Sequence, residues 1–364
     1  MFPGFFIPLL MDQFFCNMDL ARFEELFDKE PKYRLGQAKK ALFQDLIKNW
    51  QEATALPSDF RKELNEKCPL NISAEIIVSK DKNTVKAVIT LEDGLKIETV
   101  LMRHKDGRNT VCVSSQAGCP LGCSFCATGK TGFKRNLGVW EIVGQVLFFA
   151  RLLAPECSDG GQARYLKKSG EKVGSVVFMG MGEPFLNYQN VIEAIKILND
   201  KNGFYLGARH FSISTVGITE GIRKLAEEKL QINLAISLHA PDDNLRSELM
   251  PINKKYPIKE ILNAVDDYIK KTRRRVMFEY IMIKDLNDSA EHAEALAGIM
   301  KKHLYFVNLI SYNATGIFKP SSSLRIKKFK EILEKEKVAV TERYRFGEDI
   351  DAACGQLAAR GKYI

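Results

Sequence analysis

From Asn109 to about Glu336 the chain alternates strand-like and helical stretches, and this alternation limits the possible folds more than any other feature. Six short runs rich in β-branched and aromatic residues read as strands: Asn109–Ser114, Val173–Gly180, Arg209–Thr215, Ile232–Ala240, Arg275–Ile283 and Leu304–Ile310. Helix-period stretches follow at Gly138–Leu153, Asn190–Asp200, Ile218–Lys229, Ile258–Lys271, Ala290–His303 and Ser322–Glu336. Each strand is therefore followed by a helix, which predicts an α/β fold with a parallel sheet and crossover helices. Six such units make a partial (β/α)6 barrel, open at one side, with its chemistry at the C-terminal ends of the strands.

Two different patterns precede the barrel. Residues Leu20 to about Leu70 read as helices, with Leu42, Phe43, Leu46 and Trp50 at three-to-four spacing, and Pro57-Ser58-Asp59 marks a new helix start. Between Ala74 and Met102, strand-like runs separated by Asp81-Lys82-Asn83 and Asp93-Gly94 predict a small antiparallel extension. The expected domains are a helical accessory domain (1–70), the antiparallel extension (71–108) and the barrel (109–364). The apolar start, Phe2 to Met11, meets Asp12 at once and lacks a basic leader, so it is not expected to span a membrane or to direct secretion.

Within the first unit, Cys112 to Gly132 reads CVSSQAGCPLGCSFCATGKTG and holds four of the chain's eight cysteines. Cys119, Cys123 and Cys126 form C-x3-C-x2-C, with Gly118, Pro120, Gly122 and Gly129 supplying turns. Three soft thiolates suit zinc or an iron–sulfur cluster. A structural zinc wants a fourth protein ligand, and the following hundred residues offer no second C-x2-C or H-x3-H. Three cysteines on a four-iron cluster leave one coordination position open. Such clustering fits a reducing compartment, and a cytoplasmic protein is expected. Basic residues outnumber acidic ones, 54 to 45, and the net charge of +9 is compatible with a polyanionic partner such as RNA.

Further motifs sit at predicted strand tips. Phe178–Pro184 reads FMGMGEP, Ile213–Gly217 ISTVG, Ala235–Ala240 AISLHA and Glu348–Leu357 EDIDAACGQL. Together with C-x3-C-x2-C, and in this order, they resemble the RlmN/Cfr family of radical S-adenosylmethionine (SAM) adenine methyltransferases. The resemblance runs from about Glu30 to the C-terminus. It implies a radical SAM barrel, a [4Fe-4S] cluster held by Cys119, Cys123 and Cys126, and SAM bound by Gly182, Glu183, Ser214, Ser237, Leu238, His239 and Asn313. The family commonly has proline after Asn313, where this chain has Ala314-Thr315-Gly316.

The resemblance also assigns reactive roles. Cys354, which composition alone would pass as a packed free thiol, is implied to carry a methyl group taken from one SAM. A second SAM, cleaved at the reduced cluster, then yields a radical that activates that methyl for addition to adenine. Glu98, otherwise an ordinary strand glutamate, is implied to accept the adenine proton. Cys112 is implied to resolve the covalent RNA adduct, leaving a Cys112–Cys354 disulfide that an external reductant reopens.

The implied substrate is an adenine of 23S rRNA, methylated at C2 by RlmN-like members, some of which also modify the adenine beside the tRNA anticodon, and at C8 by Cfr-like members. Pro184, in the cofactor loop, favours the C2 side, whereas Phe346-Gly347 resembles the C8 side. An electron donor for the cluster, no membrane partner and a monomer are expected. The competing class is a non-catalytic, metal-stabilised RNA-binding protein. Lys32, Arg34, Lys39 and Lys40, and the run Lys270 to Arg275, are candidate RNA-backbone contacts for which a solvated basic surface is the alternative.

Overall fold

Turn-forming residues between the early strands reverse the chain, while the helices between later strands carry it back in the same direction. A computed structural model of the chain describes residues 6–7, 23, 25–154, 171–316 and 318–358. Most of the apolar start, together with Cys16 and the Gly160-Gly161 loop with Cys157, lies outside these residues. Strands β1 (Phe6–Ile7), β2 (Ala74–Val78), β3 (Thr84–Thr90) and β4 (Lys96–Arg103) form an antiparallel meander. Lys82 (φ 57°) and Gly94 (φ 78°) adopt the left-handed backbone of its two tight turns.

β4 also pairs antiparallel with β5 (Asn109–Cys112), and there the sheet changes character. A separate two-stranded ribbon, β6 (Gln116–Ala117) with β7 (Arg135–Asn136), brackets the cysteine loop. Strands β8 (Ser175–Phe178), β9 (Phe211–Thr215), β10 (Asn233–Ser237), β11 (Val276–Met282) and β12 (Tyr305–Ser311) then join β5 in parallel. The register sets Cys112 beside Val177, Ser237 beside Glu279, and Glu279 beside Asn308. Meander and barrel thus share one 11-stranded sheet.

The structure adds a seventh parallel strand to the six expected, β13 (Val340–Glu342), paired with β12. Three residues are too few to show alternation, so sequence periodicity passes over it. Its tip delivers Arg343, whose backbone N–H donates to Leu309 O at 2.9 Å.

The described helices are α1 (Lys32–Phe43), α2 (Ser58–Lys67), α3 (Ala127–Thr131), α4 (Val139–Leu153), α5 (Tyr188–Asn199), α6 (Thr219–Glu227), α7 (Asp243–Leu249), α8 (Ile258–Thr272), α9 (Ala290–Met300) and α10 (Ser323–Lys335). Helix α8 shows why they pack: Ile258, Ile261, Ala264, Val265 and Tyr268 fall on one face and are buried. Each large apolar side chain there contributes roughly 1.5–3 kcal/mol. Helix α4 is apolar on nearly every side and buried accordingly. Its start is fixed by Glu141, whose carboxylate accepts the Gly138 N–H at 2.7 Å.

One helical expectation is corrected. The pattern Leu42, Phe43, Leu46, Trp50 suggests a helix continuing to Trp50, but α1 ends at Phe43. Leu46 turns left-handed (φ 54°), and Trp50 opens a separate single turn capped by Asn49 Oδ1, which accepts the Gln51 N–H. The apolar spacing does report burial, since Trp50 is wholly enclosed and its Nε1 donates to Cys68 O at 2.7 Å.

Candidate active site

The loop carrying Cys119, Cys123 and Cys126 is held by its own backbone before any ligand is considered. Gly118 has φ +76°, and a Cβ there would sit 1.8 Å from Gly132 O, so the loop mouth closes only around glycine. Cys119 N–H donates to Gly132 O at 3.3 Å, Cys126 N–H to Cys123 O at 3.1 Å, and Ser124 N–H to Leu249 O at the end of α7 at 3.0 Å.

The three thiols face the strand tips across an open cavity. Gly182, Glu183, Ser214, Ser237, His239 and Cys354 line the same space. Leu238 does not: its side chain is in the core, and its backbone O accepts from the buried guanidinium of Arg246 at 3.1 Å.

Chemistry at the tips follows from burial. Burial raises the Glu183 carboxyl to about 7, although its oxygens accept the N–H groups of Phe185 (3.0 Å) and Val216 (2.9 Å). Pro184 stands at the first position of the short turn that Glu183 caps, where its missing N–H costs nothing. Burial, then Arg246, pushes the His239 imidazole down to about 3, so the ring is neutral. Its Nδ1 accepts the Ile281 N–H at 3.2 Å, which leaves the proton on Nε2 as a donor. His239 also holds φ at 62°, the left-handed backbone common at functional sites.

Cys354 belongs to a second, smaller cavity as well, which it shares with Cys112, Asn313, Met179 and Arg343. The fold therefore brings Cys112 and Cys354 together despite their separation in sequence. Both are free thiols, so the disulfide implied by resemblance is not the state described here. Burial, then Cys354, pushes the Cys112 thiol up to about 12. Asn313 donates from Nδ2 to Cys354 O at 3.1 Å, while its buried Oδ1 has no partner.

The segment carrying Cys354 is docked on the cysteine loop itself. Ala127 N–H donates to Gly355 O at 2.7 Å and Thr128 Oγ1 to Leu357 O at 2.5 Å. Glu98 lines neither cavity. Its carboxylate is buried beside Lys86 Nζ (3.6 Å) and accepts the Ala358 N–H at 3.0 Å, while Lys86 Nζ donates to Asp351 O at 3.2 Å. This ion pair grips both ends of the Cys354 segment.

Glu279 and Arg343 complete the walls, and Arg246 braces the strand tips from behind, without any motif to announce them. Arg246 is fully buried and donates to the carbonyls of Val216, Ser237, Leu238 and Tyr256 and to Asn253 Oδ1. Burial brings its guanidinium down to about 10, against the opposite pull of Cys123 and Asp243. Glu279 accepts from Ser214 Oγ (2.5 Å) and Ser237 Oγ (3.5 Å), and pairs with Arg343 at 3.2 Å. A glutamate inside the apolar run VMFEYIMI is the one signal that would have pointed to Glu279. Arg246 and Arg343 sit in ordinary charged stretches.

The candidate RNA contacts lie elsewhere. Lys32, Lys39 and Lys40 border a surface groove with Lys201, and Arg34 pairs with Glu30. The run from Lys270 lies at the N-terminal end of β11, opposite the cavity. Its members are engaged locally: Lys271 with Glu227, Arg274 with Asn233, and Arg275 over the Phe306 ring.

The donor set fits a cluster. Among the described residues no three His, Cys, Asp or Glu side chains close on a single-ion site; the three cysteines instead wall one cavity as spaced soft donors, one for each of three irons. The buried Glu183 is an acceptor suited to an amine- and hydroxyl-bearing ligand alongside, whereas Asn313, expected among the same ligands, lines the Cys112–Cys354 cavity instead.

A parallel-stranded partial barrel with such a loop across its strand tips defines the radical SAM class, and residues 113–297 match the model of the Radical SAM superfamily. The chain is 44% identical, over 91% of both sequences, to the probable dual-specificity RNA methyltransferase RlmN of Dictyoglomus thermophilum. It is 43% identical, over 90% of this chain and 93% of the other, to the ribosomal RNA large subunit methyltransferase Cfr of Clostridium botulinum. A radical SAM methyltransferase structure from Sphaerobacter thermophilus superposes with a TM-score of 0.87 at 41% identity, covering 94% of this chain and 98% of that one. The chain belongs to the RlmN/Cfr family of radical SAM methyltransferases. That membership implies SAM and a [4Fe-4S] cluster as cofactors. Among the described residues no helix is long and apolar enough to cross a membrane.

Proposed function

We propose that this chain methylates C2 of an adenine in 23S rRNA, and of the adenine beside the anticodon in tRNA, using Cys354 as the methyl carrier. The observation that carries the reading is the shared wall: Cys354 lines the cavity of the cluster cysteines and, on its other side, the cavity of Cys112. One sulfur thus has access both to a methyl donor at the strand tips and to a resolving thiol. The relatives' printed names support an RNA substrate, and Pro184 supports C2 over C8.

Cys119, Cys123 and Cys126 would hold the cluster and leave one iron open. When bound, the cluster and SAM supply the radical chemistry that an electron-poor ring carbon requires. The chain's own residues do the rest. Glu183 offers acceptors to the amino-acid end of SAM, Ser214 and Ser237 offer hydroxyls, and His239 offers its Nε2–H. Ala127, Thr128 and Asn313 hold the Cys354 backbone in place. Glu98, its charge matched by Lys86, holds the segment at Ala358 from outside both cavities, and its proton-accepting role rests on the family resemblance alone. Cys112 resolves the adduct.

Two measurements test this. Protein loaded with cluster anaerobically and given SAM should yield a Cys354 peptide heavier by one methyl group, and the reaction with rRNA should yield 2-methyladenosine on nucleoside mass analysis. An unmodified Cys354 sinks the carrier role; 8-methyladenosine as the product transfers the chain to the C8 reading.

A further inference from the structure

Barrel interiors are ordinarily filled by Val, Ile and Leu, and their N-terminal ends serve stability. The floor of this barrel is polar instead. The strand starts present Thr110 (β5), Ser175 (β8), Ser212 (β9) and Asn233 (β10) to a further cavity. These positions lie two or four residues before Cys112, Val177, Ser214 and Ser237 on the same strands, and so on the same inward face. Thr110 Oγ1 is bonded on both sides, to His104 Nε2 at 2.9 Å and Ser175 Oγ at 2.7 Å.

The charge around this floor has one sign. Three arginines (Arg108, Arg209, Arg343) and two histidines (His104, His210) line the cavity, and no aspartate or glutamate does. Arg108 and Arg343 have acid partners, Asp106 and Glu279, that stand outside it. Arg209 is oriented by neutral groups: its Nε donates to Gln231 Oε1 at 2.6 Å, and its carbonyl accepts from Asn233 Nδ2 at 2.7 Å.

The segment after β13 forms the opposite wall. Phe346 packs edge-on to His104, with ring centroids 5.0 Å apart, while Tyr344 is 59% exposed. Met102, Arg343, Tyr344 and Phe346 also line the cavity of Cys112 and Cys354, so the two spaces adjoin. Cations and hydroxyls for a phosphate, with an open aromatic face for a base, are the two parts of a single-stranded RNA site.

We propose that this cavity seats a backbone phosphate of the substrate RNA beside the target adenine, with Tyr344 as the stacking surface for a base. The RNA strand then comes to Cys112 and Cys354 from the N-terminal end of the barrel. The inference rests on the reading of the substrate as RNA. Each phosphate contact on a single strand contributes about 0.7 to the slope of log K against log salt, which at about 0.15 M salt is roughly fourfold in affinity.

The test is fluorescence anisotropy of a labelled 23S rRNA fragment carrying the target adenine, titrated with full-length, cluster-loaded protein without SAM at several salt concentrations. Arg108→Gln/Arg209→Gln should weaken binding roughly 15-fold at about 0.15 M salt and lower the slope by about 1.4. Tyr344→Ala should weaken binding by about fivefold or more and leave the slope unchanged. Lys327→Gln/Lys328→Gln, on the exposed side of α10, removes as much charge elsewhere and should leave the slope at the wild-type value. A double arginine variant that folds and binds with wild-type affinity and slope overturns the proposal and leaves the methyl-carrier reading standing. Wild-type protein that does not bind the fragment removes the RNA reading and this site with it.

A second measurement needs no variant. Modification of His210 by diethylpyrocarbonate, followed by peptide mass spectrometry, should be slowed by the RNA fragment. Inorganic phosphate at equal ionic strength is the comparison. Protection by phosphate alone assigns the cavity to a free anion and overturns the proposal, as does protection by neither.

Discussion

Replacing Arg246 with methionine keeps much of the side-chain volume and removes the donors that join the ends of β9 and β10 to the loop after α7. Four backbone carbonyls, of Val216, Ser237, Leu238 and Tyr256, and Asn253 Oδ1 lose that donor inside the fold. Each orphaned acceptor costs about 1–3 kcal/mol, a gross loss of roughly 5–15 kcal/mol if none finds water. Against this, the guanidinium no longer has to be stripped of water, which returns several kcal/mol. The expected net loss is about 3–5 kcal/mol, the range found when one partner of a buried charged network is removed. With a urea slope near 3 kcal/mol/M, the unfolding midpoint of the apo protein should drop by roughly 1 M or more. Arg246→Lys, with fewer donors and no fork, should recover only part of the loss. Equilibrium urea titration followed by tryptophan fluorescence checks this. An Arg246→Met midpoint within about 0.3 M of wild type would refute the idea that this side chain ties the strand tips together.

The other expected outcomes use the same protein. Because burial raises Glu183 to about 7 from roughly 4.3 when unfolded, the folded state binds that proton more tightly. Its contribution to apo stability is complete below about pH 4.3 and is lost as pH rises through about 7; urea titrations at several pH values should show that fall, and Glu183→Gln should flatten it. Gly118→Ala places a methyl 1.8 Å from Gly132 O in a left-handed backbone and should cost about 2–5 kcal/mol from strain and overpacking. Reduced cluster occupancy in the iron and sulfide assay is the companion readout, and normal loading would contradict the tight-mouth account. Cys112→Ala should leave Cys354 methylation intact and trap the protein on RNA as a denaturant-resistant species, whereas free turnover would remove Cys112 from the resolving step.

Much of this architecture is legible in the chain because it is written in repeated local patterns. Apolar runs bounded by glycine and followed by helical periods locate six of the seven parallel strands, and the glycine and serine motifs fall at their C-terminal tips. What periodicity misses is of two kinds. β13 and α7 are too short to show a period, and Trp50 keeps helical spacing although Leu46 has already broken the helix. Arg246, Glu279 and Arg343 are single charged residues whose value depends on partners distant in sequence, so only the assembled fold reveals what each one bonds. Glu98 shows the same limit. Its strand position reads directly from the sequence, but its ion pair with Lys86 and its hold on Ala358 do not.

The bonds from Ala127 and Thr128 to Gly355 and Leu357 have a mechanical consequence. The loop of Cys119, Cys123 and Cys126 is also the seat of the segment that carries Cys354. Whatever loosens the loop therefore loosens the placement of Cys354, and the reverse holds equally. Two hydrogen bonds across one short helix thus make the stiffness of two distant stretches of sequence a single property.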